Sequence, residues 1–200
     1  MESKIAVTNF KNADRTLLAE TLSCLSDLQL VQNRTMHEWE KIYNINETQK
    51  DIWENQFLLI SSSFVKRIKS EFIISNFISN GAAFSEVLSL KAKINEKSIE
   101  LHKLEEFNML KSLLNITGRY AAEHYGIIIH VKNTDSSKFD DLSVRFYDKY
   151  RINYKLFDGD NNLKNIVENI TGEIEIPKVQ SIDSAIYKAE RLVNFKNWKS

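Results

Sequence analysis

The chain has little of what would staple, break or charge a protein. Its single cysteine, Cys24, can form no internal disulfide and no cysteine-based zinc site, so a reducing compartment is expected. One proline and five glycines in 200 residues leave no stretch suited to a flexible linker. Those glycines stand at 81, 118, 126, 159 and 172, too far apart for a Gly-x4-Gly-Lys phosphate cradle or a Gly-x-Gly-x-x-Gly dinucleotide turn. The 27 basic and 27 acidic residues cancel, and they stay balanced on either side of Gly126, so no bulk field steers a polyanion. Apolar runs such as Phe57-Leu58-Leu59-Ile60 and Ile127-Ile128-Ile129 fall far short of the roughly 20 residues that span a bilayer. The start, Met1-Glu2-Ser3-Lys4-Ile5, has no signal-peptide apolar core. A cytoplasmic protein that makes no use of a membrane is expected.

Metal and hydrolase signatures are missing too. No Gly-x-Ser-x-Gly elbow occurs, and His37-Glu38-Trp39-Glu40-Lys41 places lysine where a zinc protease needs its second histidine. Asp158-x-Asp160-x-Asn162 begins like a calcium loop but puts Leu163 at the glycine position and Asn169 at the bidentate glutamate. No metal and no cofactor is expected.

What is present is ordinary globular material, 42% hydrophobic and 27% charged, with helical periodicity in the first eighty residues. From Asn12, Leu17, Leu18, Leu22, Leu25 and Leu28 mark one helix face, which could extend through Met36, Trp39 and Ile42. Trp53, Phe57, Ile60, Phe64, Ile68 and Phe72 form the stripe of a second helix, and Ser79-Asn80-Gly81 ends that region. Between residues 86 and 103, Leu88, Leu90, Ala92 and Ile94 alternate with polar residues, which favours a hairpin over a helix. Leu104 to Tyr125 reads as a helix stopped by Gly126, and Ile127 to Lys132 as an interior strand. Alternation over Leu142 to Phe157 and the stretch Gly172 to Ile176 read as further strands. Leu163 to Ile170 and a segment starting at Ser181 or Asp183 read as helices. The fold class expected is α+β: long N-terminal amphipathic helices followed by a mostly antiparallel sheet with helices packed on it. Residues 1–200 are expected to make a single compact domain, a possible subdivision being 1–80 helical and 81–200 α+β.

Three arrangements could carry chemistry. Arg119-Tyr120-Ala121-Ala122-Glu123-His124 resembles the Arg-x4–6-His signature of HEPN ribonucleases, and the resemblance implies that Arg119 and His124 would stabilise a phosphate and move a proton in metal-independent RNA cleavage. Five helical residues set them about 140° apart, however, which makes an exposed ion pair and a helix-end histidine the simpler reading. If Leu142–Phe157 is one strand, Arg145, Tyr147, Arg151 and Lys155 share a face with the cations and the aromatic that single-stranded nucleic acid needs. Glu173, Glu175 and Lys178 approach a metal-nuclease order but are broken by Pro177.

No convergent catalytic set emerges. Elimination therefore favours a non-enzymatic protein-interaction module, an immunity or inhibitor-like factor or an accessory subunit of a bacterial or phage assembly. Its partner is expected to be another protein or a second copy. Single-stranded nucleic-acid binding and HEPN-like ribonuclease activity are the alternatives.

Overall fold

The computed structural model describes residues 3–8, 12–32, 44, 53–132, 137–159 and 162–198. The chain order is β1 (Lys4–Thr8), α1 (Asn12–Ser26), β2 (Gln29–Val31), α2 (Trp53–Phe72), β3 (Phe77–Asn80), α3 (Ser85–Asn95), α4 (Leu104–His124), β4 (Ile127–Lys132), α5 (Ser137–Tyr150), β5 (Tyr154–Asp158), α6 (Leu163–Glu173) and α7 (Ile182–Trp198). The strands form one sheet in the order β2-β3-β1-β4-β5, and every pairing is parallel. β1 is the central strand, with Ile5 opposite both Ile78 and Ile127.

Parallel strands need a crossover, and here helices supply it on both faces. Successive side chains along a strand point to opposite faces, so the sheet divides its residues between two cores. Ala6, Phe77 and Ile128 pack on one side with residues of α2 to α5, among them Ile60, Leu88, Leu113 and Phe146. Ile5, Val7, Ile129, Val131 and Phe157 pack on the other with Leu18, Leu22 and Leu25 of α1, Val167 and Ile170 of α6, and Ala185 and Ala189 of α7. Each fully buried Ile, Leu or Phe of these layers contributes about 1.5–3 kcal/mol.

The expected mostly antiparallel sheet behind N-terminal helices is thus corrected to an all-parallel sheet that begins with a strand. Four local misreadings produced it. Lys4-Ile5-Ala6-Val7-Thr8 is too short to announce a strand, yet it lies at the centre of the sheet. The segment from 86 to 103 contains helix α3, because Val87, Leu90 and Ile94 step by three and four and face the core, and Lys97 at φ +59 then turns the chain. Leu142 to Phe157 is helix, turn and strand: Phe139, Leu142, Phe146 and Tyr150 keep the helical period, and Arg151 at φ +56 closes α5 before β5. Gly172–Ile176 is the end of α6 and irregular chain, with no strand.

Other expectations match the structure. The second helix occupies Trp53–Phe72, the clearest helix Leu104–His124, the interior strand Ile127–Lys132, and a helix follows Ser181. Glu106 caps α4 by accepting from the Lys103 and His102 N–H groups at 3.2 and 2.7 Å. The suggested continuation of the first helix through Met36, Trp39 and Ile42 lies outside the described residues, but α1 itself stops at Ser26, where Asp27 turns at φ +58. Among the described residues, no helix is long and apolar enough to cross a membrane.

Candidate functional site

In a parallel sheet whose central strand sends the chain first to one side and then to the other, the crevice at the carboxyl ends of the strands is where a ligand would sit. Here that edge is formed by Thr8, Asn80–Gly81 and His130, and two polar clusters converge on it.

The first cluster lies between β1 and β3. Arg67, in the C-terminal part of α2, is buried and donates from Nη1 to Ser79 Oγ at 2.8 Å and to the Gly81 carbonyl at 2.6 Å. Glu71, one turn later and fully buried, lies 3.6 Å from the same nitrogen. Its carboxylate accepts from Ser79 Oγ and Tyr120 OH at 2.8 Å each and from Tyr125 OH at 2.9 Å. Burial works against the Arg67 charge, but neighbouring negative groups, led by Glu86, carry its pKa above the ordinary arginine value. Burial and the facing Glu71 push both tyrosine hydroxyls upward, so they remain protonated donors.

Arg15 and Thr16 reach the same edge from the first turns of α1. Arg15 Nε donates to Asn80 Oδ1 at 2.8 Å, and Asn80 Nδ2 donates to Thr16 Oγ1 at 3.0 Å. Gly81 makes this convergence possible. It sits at φ +90, and a Cβ there would stand 3.2 Å from Arg67 Nη2 and 3.5 Å from Arg15 Nη1. In sequence, only Asn9-Phe10-Lys11 separates β1 from α1, and none of the three is glycine.

The second cluster lies between β1 and β4. His130 Nε2 is 2.9 Å from Asp140 Oδ1, and Nδ1 is 2.9 Å from Tyr147 OH and 3.1 Å from Thr8 Oγ1. Burial lowers the His130 pKa against the pull of Asp140, which leaves the ring neutral. Nε2–H then donates to Asp140 and Nδ1 accepts. The tyrosine supplies the proton, because burial raises its own pKa well above the usual phenol value. All four side chains are buried. Among the described residues, no group of three or more His, Cys, Asp or Glu side chains is placed to hold a metal ion.

Of the residues singled out from sequence, His124 borders the first cluster and Tyr147 enters the second, and the others lie elsewhere. Arg119 is exposed on α4, whereas His124 is half-buried, its ring stacked on Tyr120 at 4.6 Å and near Glu71. The structure does not bring the two to one point. Arg145, Tyr147, Arg151 and Lys155 share no strand face: the first two are on α5, Arg151 is in the turn after it, and Lys155 on β5 is tied to Glu173. Tyr147 does enter the carboxyl-edge site, but fully buried against His130, where no base could stack on it. Arg15, Arg67 and Glu71 were missed because each looks like one more charge on an amphipathic helix, and Glu86 because it opens a segment read as a hairpin. The available signal was Arg67 and Glu71 falling, four residues apart, on the stripe side of α2.

No protein-family model matches the sequence, and neither does any curated protein. Solved structures do match the fold. Deoxyadenosine kinase from M. mycoides with bound dATP aligns with a TM-score of 0.64 at 13% identity, over 86% of this chain and 98% of that one. The same enzyme with its products dCMP and a flexible dCDP aligns at 0.59 and 14% identity, over 85% and 97%. This likeness overturns the reading by elimination: the chain has the fold of solved kinases, and an accessory, non-enzymatic interaction module is no longer the reading it supports. The resemblance to HEPN ribonucleases ends at six residues of α4, since those domains are all-helical and this one is built on a five-stranded parallel sheet.

Proposed function

We propose that the chain binds a nucleotide, a nucleoside carrying phosphate, at the carboxyl edge of its sheet, with Arg15 as the cation that meets the phosphate. The observation that carries the reading is the position of Arg15–Thr16. A cation and a hydroxyl stand side by side in the first turns of the helix that follows the central strand, both engaged by Asn80 at the end of the neighbouring strand. An arginine keeps its charge even where burial lowers its pKa, as it does here. The kinase structures of the same fold, solved with dATP, dCMP and dCDP, support a ligand of this class.

The residues fit a single phosphate better than a magnesium-bound triphosphate. A triphosphate cradle relies on glycines that let backbone N–H groups approach the anion, and the β1–α1 connection contains none. The Thr16 hydroxyl that would face a magnesium ion accepts from Asn80 instead, and no acidic cluster stands by among the described residues. What this chain's own residues do is fix a guanidinium at the crevice and orient it through Asn80.

A second reading, phosphoryl transfer to or from a nucleoside, is favoured by the fold itself and by the cation–hydroxyl order of Arg15–Thr16. Calorimetry with deoxyadenosine, dAMP and dATP, with and without magnesium, together with a label-transfer assay, separates the two from each other and from neither. Binding of dAMP that weakens tenfold or more in Arg15→Ala supports nucleotide binding. Transfer of label from γ-labelled ATP to a nucleoside, lost in the same variant, would establish the second reading. No binding of any of the three ligands would defeat both.

A further inference from the structure

Two guanidinium groups and two carboxylates meet around Gly81, and the two carboxylates are held very differently. Glu71 is fully buried and accepts from Ser79, Tyr120 and Tyr125 as well as facing Arg67. It is built into the core. Glu86 comes from the first turn of α3, just after the Gly81 bend, and its Oε1 stands 3.8 Å from Arg67 Nη2, longer than a direct hydrogen bond. Its side chain is 18% exposed, against 2% for that of Arg67. Glu86 is also the neighbouring charge that acts most strongly on both Arg15 and Arg67. The guanidinium nitrogens of these two arginines lie 3.5 Å or less from the single point where a Gly81 Cβ would stand, so one anion at the crevice can feel both.

We infer that the Glu86 carboxylate occupies the anion place beside Arg15 and Arg67, and that a phosphate-bearing ligand binds by displacing it. Glu86 is then the specificity-determining residue of the site. A monoanion gains nothing by replacing a carboxylate already in position, whereas a phosphate monoester, a dianion at neutral pH with three acceptor oxygens, answers both guanidiniums. The displacement moves the side chain, and the first turn of α3 with it, toward solvent, while Glu71 continues to neutralise Arg67. This inference rests on the nucleotide-binding reading for the identity of the ligand, though not for the presence of an anion site.

The test is Glu86→Gln, nearly isosteric and neutral, compared with the native chain, Arg15→Ala and the double variant. Inorganic phosphate and dAMP are titrated calorimetrically at pH 7.5 and low ionic strength. E86Q is expected to bind both at least tenfold more tightly than the native chain, acetate should show no comparable gain, and adding R15A should remove the improvement. Equal or weaker phosphate binding by a folded E86Q overturns the inference. Should E86Q fail to fold, Glu86→Asp, which withdraws the carboxylate by one methylene, is expected to tighten phosphate binding at least threefold, and no change there overturns it equally. The outcomes also separate the two proposals. Arg15-dependent dAMP binding without any gain in E86Q sinks this inference and leaves the nucleotide reading standing. A gain for phosphate alone, with dAMP no better than phosphate, does the reverse. No anion binding by any of the variants removes both.

Discussion

The two polar clusters at the carboxyl edge flank the same strand, yet they tolerate burial by opposite means. Between β1 and β3, Arg67 and Glu71 face each other as an ion pair at 3.6 Å, and each is surrounded by hydrogen-bond partners from several elements: α2 itself, β3, the Gly81 bend, and Tyr120 and Tyr125 at the end of α4. Between β1 and β4, His130 gives up its charge and is held by a carboxylate and two hydroxyls. An ionic cluster has to be complete, because removing one partner leaves the other as a buried, uncompensated charge. A neutral cluster loses one hydrogen bond at a time. Stability measurements should show this difference directly.

The largest effect is expected at the ionic cluster. Arg67→Met should cost about 3–5 kcal/mol in urea unfolding, the penalty of leaving Glu71 buried without its cation. Adding Glu71→Leu should recover more than half of that loss, since a buried pair replaced together by apolar groups is often tolerated. A loss below about 1 kcal/mol in the single variant would show that the tyrosines and Ser79 alone satisfy Glu71.

Gly81→Ala comes next. A non-glycine residue at φ +90 is strained by about 1–3 kcal/mol, and the new Cβ would stand 3.2 Å from Arg67 Nη2. A double-mutant cycle with Arg67→Met sharpens the comparison: the steric part should vanish when the guanidinium is gone, and the backbone part should remain. Full additivity would mean that Arg67 does not press on Gly81.

What was legible in the sequence follows the same division between local and assembled features. α2, α4 and β4 were readable because each carries its own signal, a long apolar stripe or a β-branched run. β1 was not, because a strand buried on both faces by its neighbours needs no alternation and five residues give no statistics. Without β1 at the centre, α5 was read by its accidental alternation of Val144, Phe146 and Ile152, and the sheet came out antiparallel. The candidate site was less legible still. Arg15 and Arg67 are 52 positions apart and meet only because β1 and β3 are paired in parallel, and the glycine that lets them meet reads as a helix stop.

A smaller effect is expected at the neutral cluster. Tyr147→Phe removes the hydroxyl 2.9 Å from His130 Nδ1, but Thr8 Oγ1 stands 3.1 Å from the same nitrogen and can donate in its place. The loss should be about 1 kcal/mol, near the net value of one hydrogen bond, well below that of Arg67→Met. A loss as large as the arginine's would show that the neutral cluster is cooperative and would erase the contrast between the two sides of β1.

The smallest effect is a slope. Burial lowers the His130 pKa below the ordinary imidazole value of 6.5, so in acid the unfolded chain takes up a proton that the folded chain refuses. Protons then bind preferentially to the unfolded state, and stability must fall as pH drops from about 6.5 toward the lower folded value. Above pH 6.5 neither state holds the proton and the contribution is flat. His130→Asn keeps an acceptor near Tyr147 while removing the titration, so the difference in unfolding free energy between native and variant should shrink as pH falls through that window and stay constant above it. A pH dependence in this window that survives intact in His130→Asn would place the titrating group outside the β1–β4 cluster and break the assignment of a neutral, acceptor Nδ1.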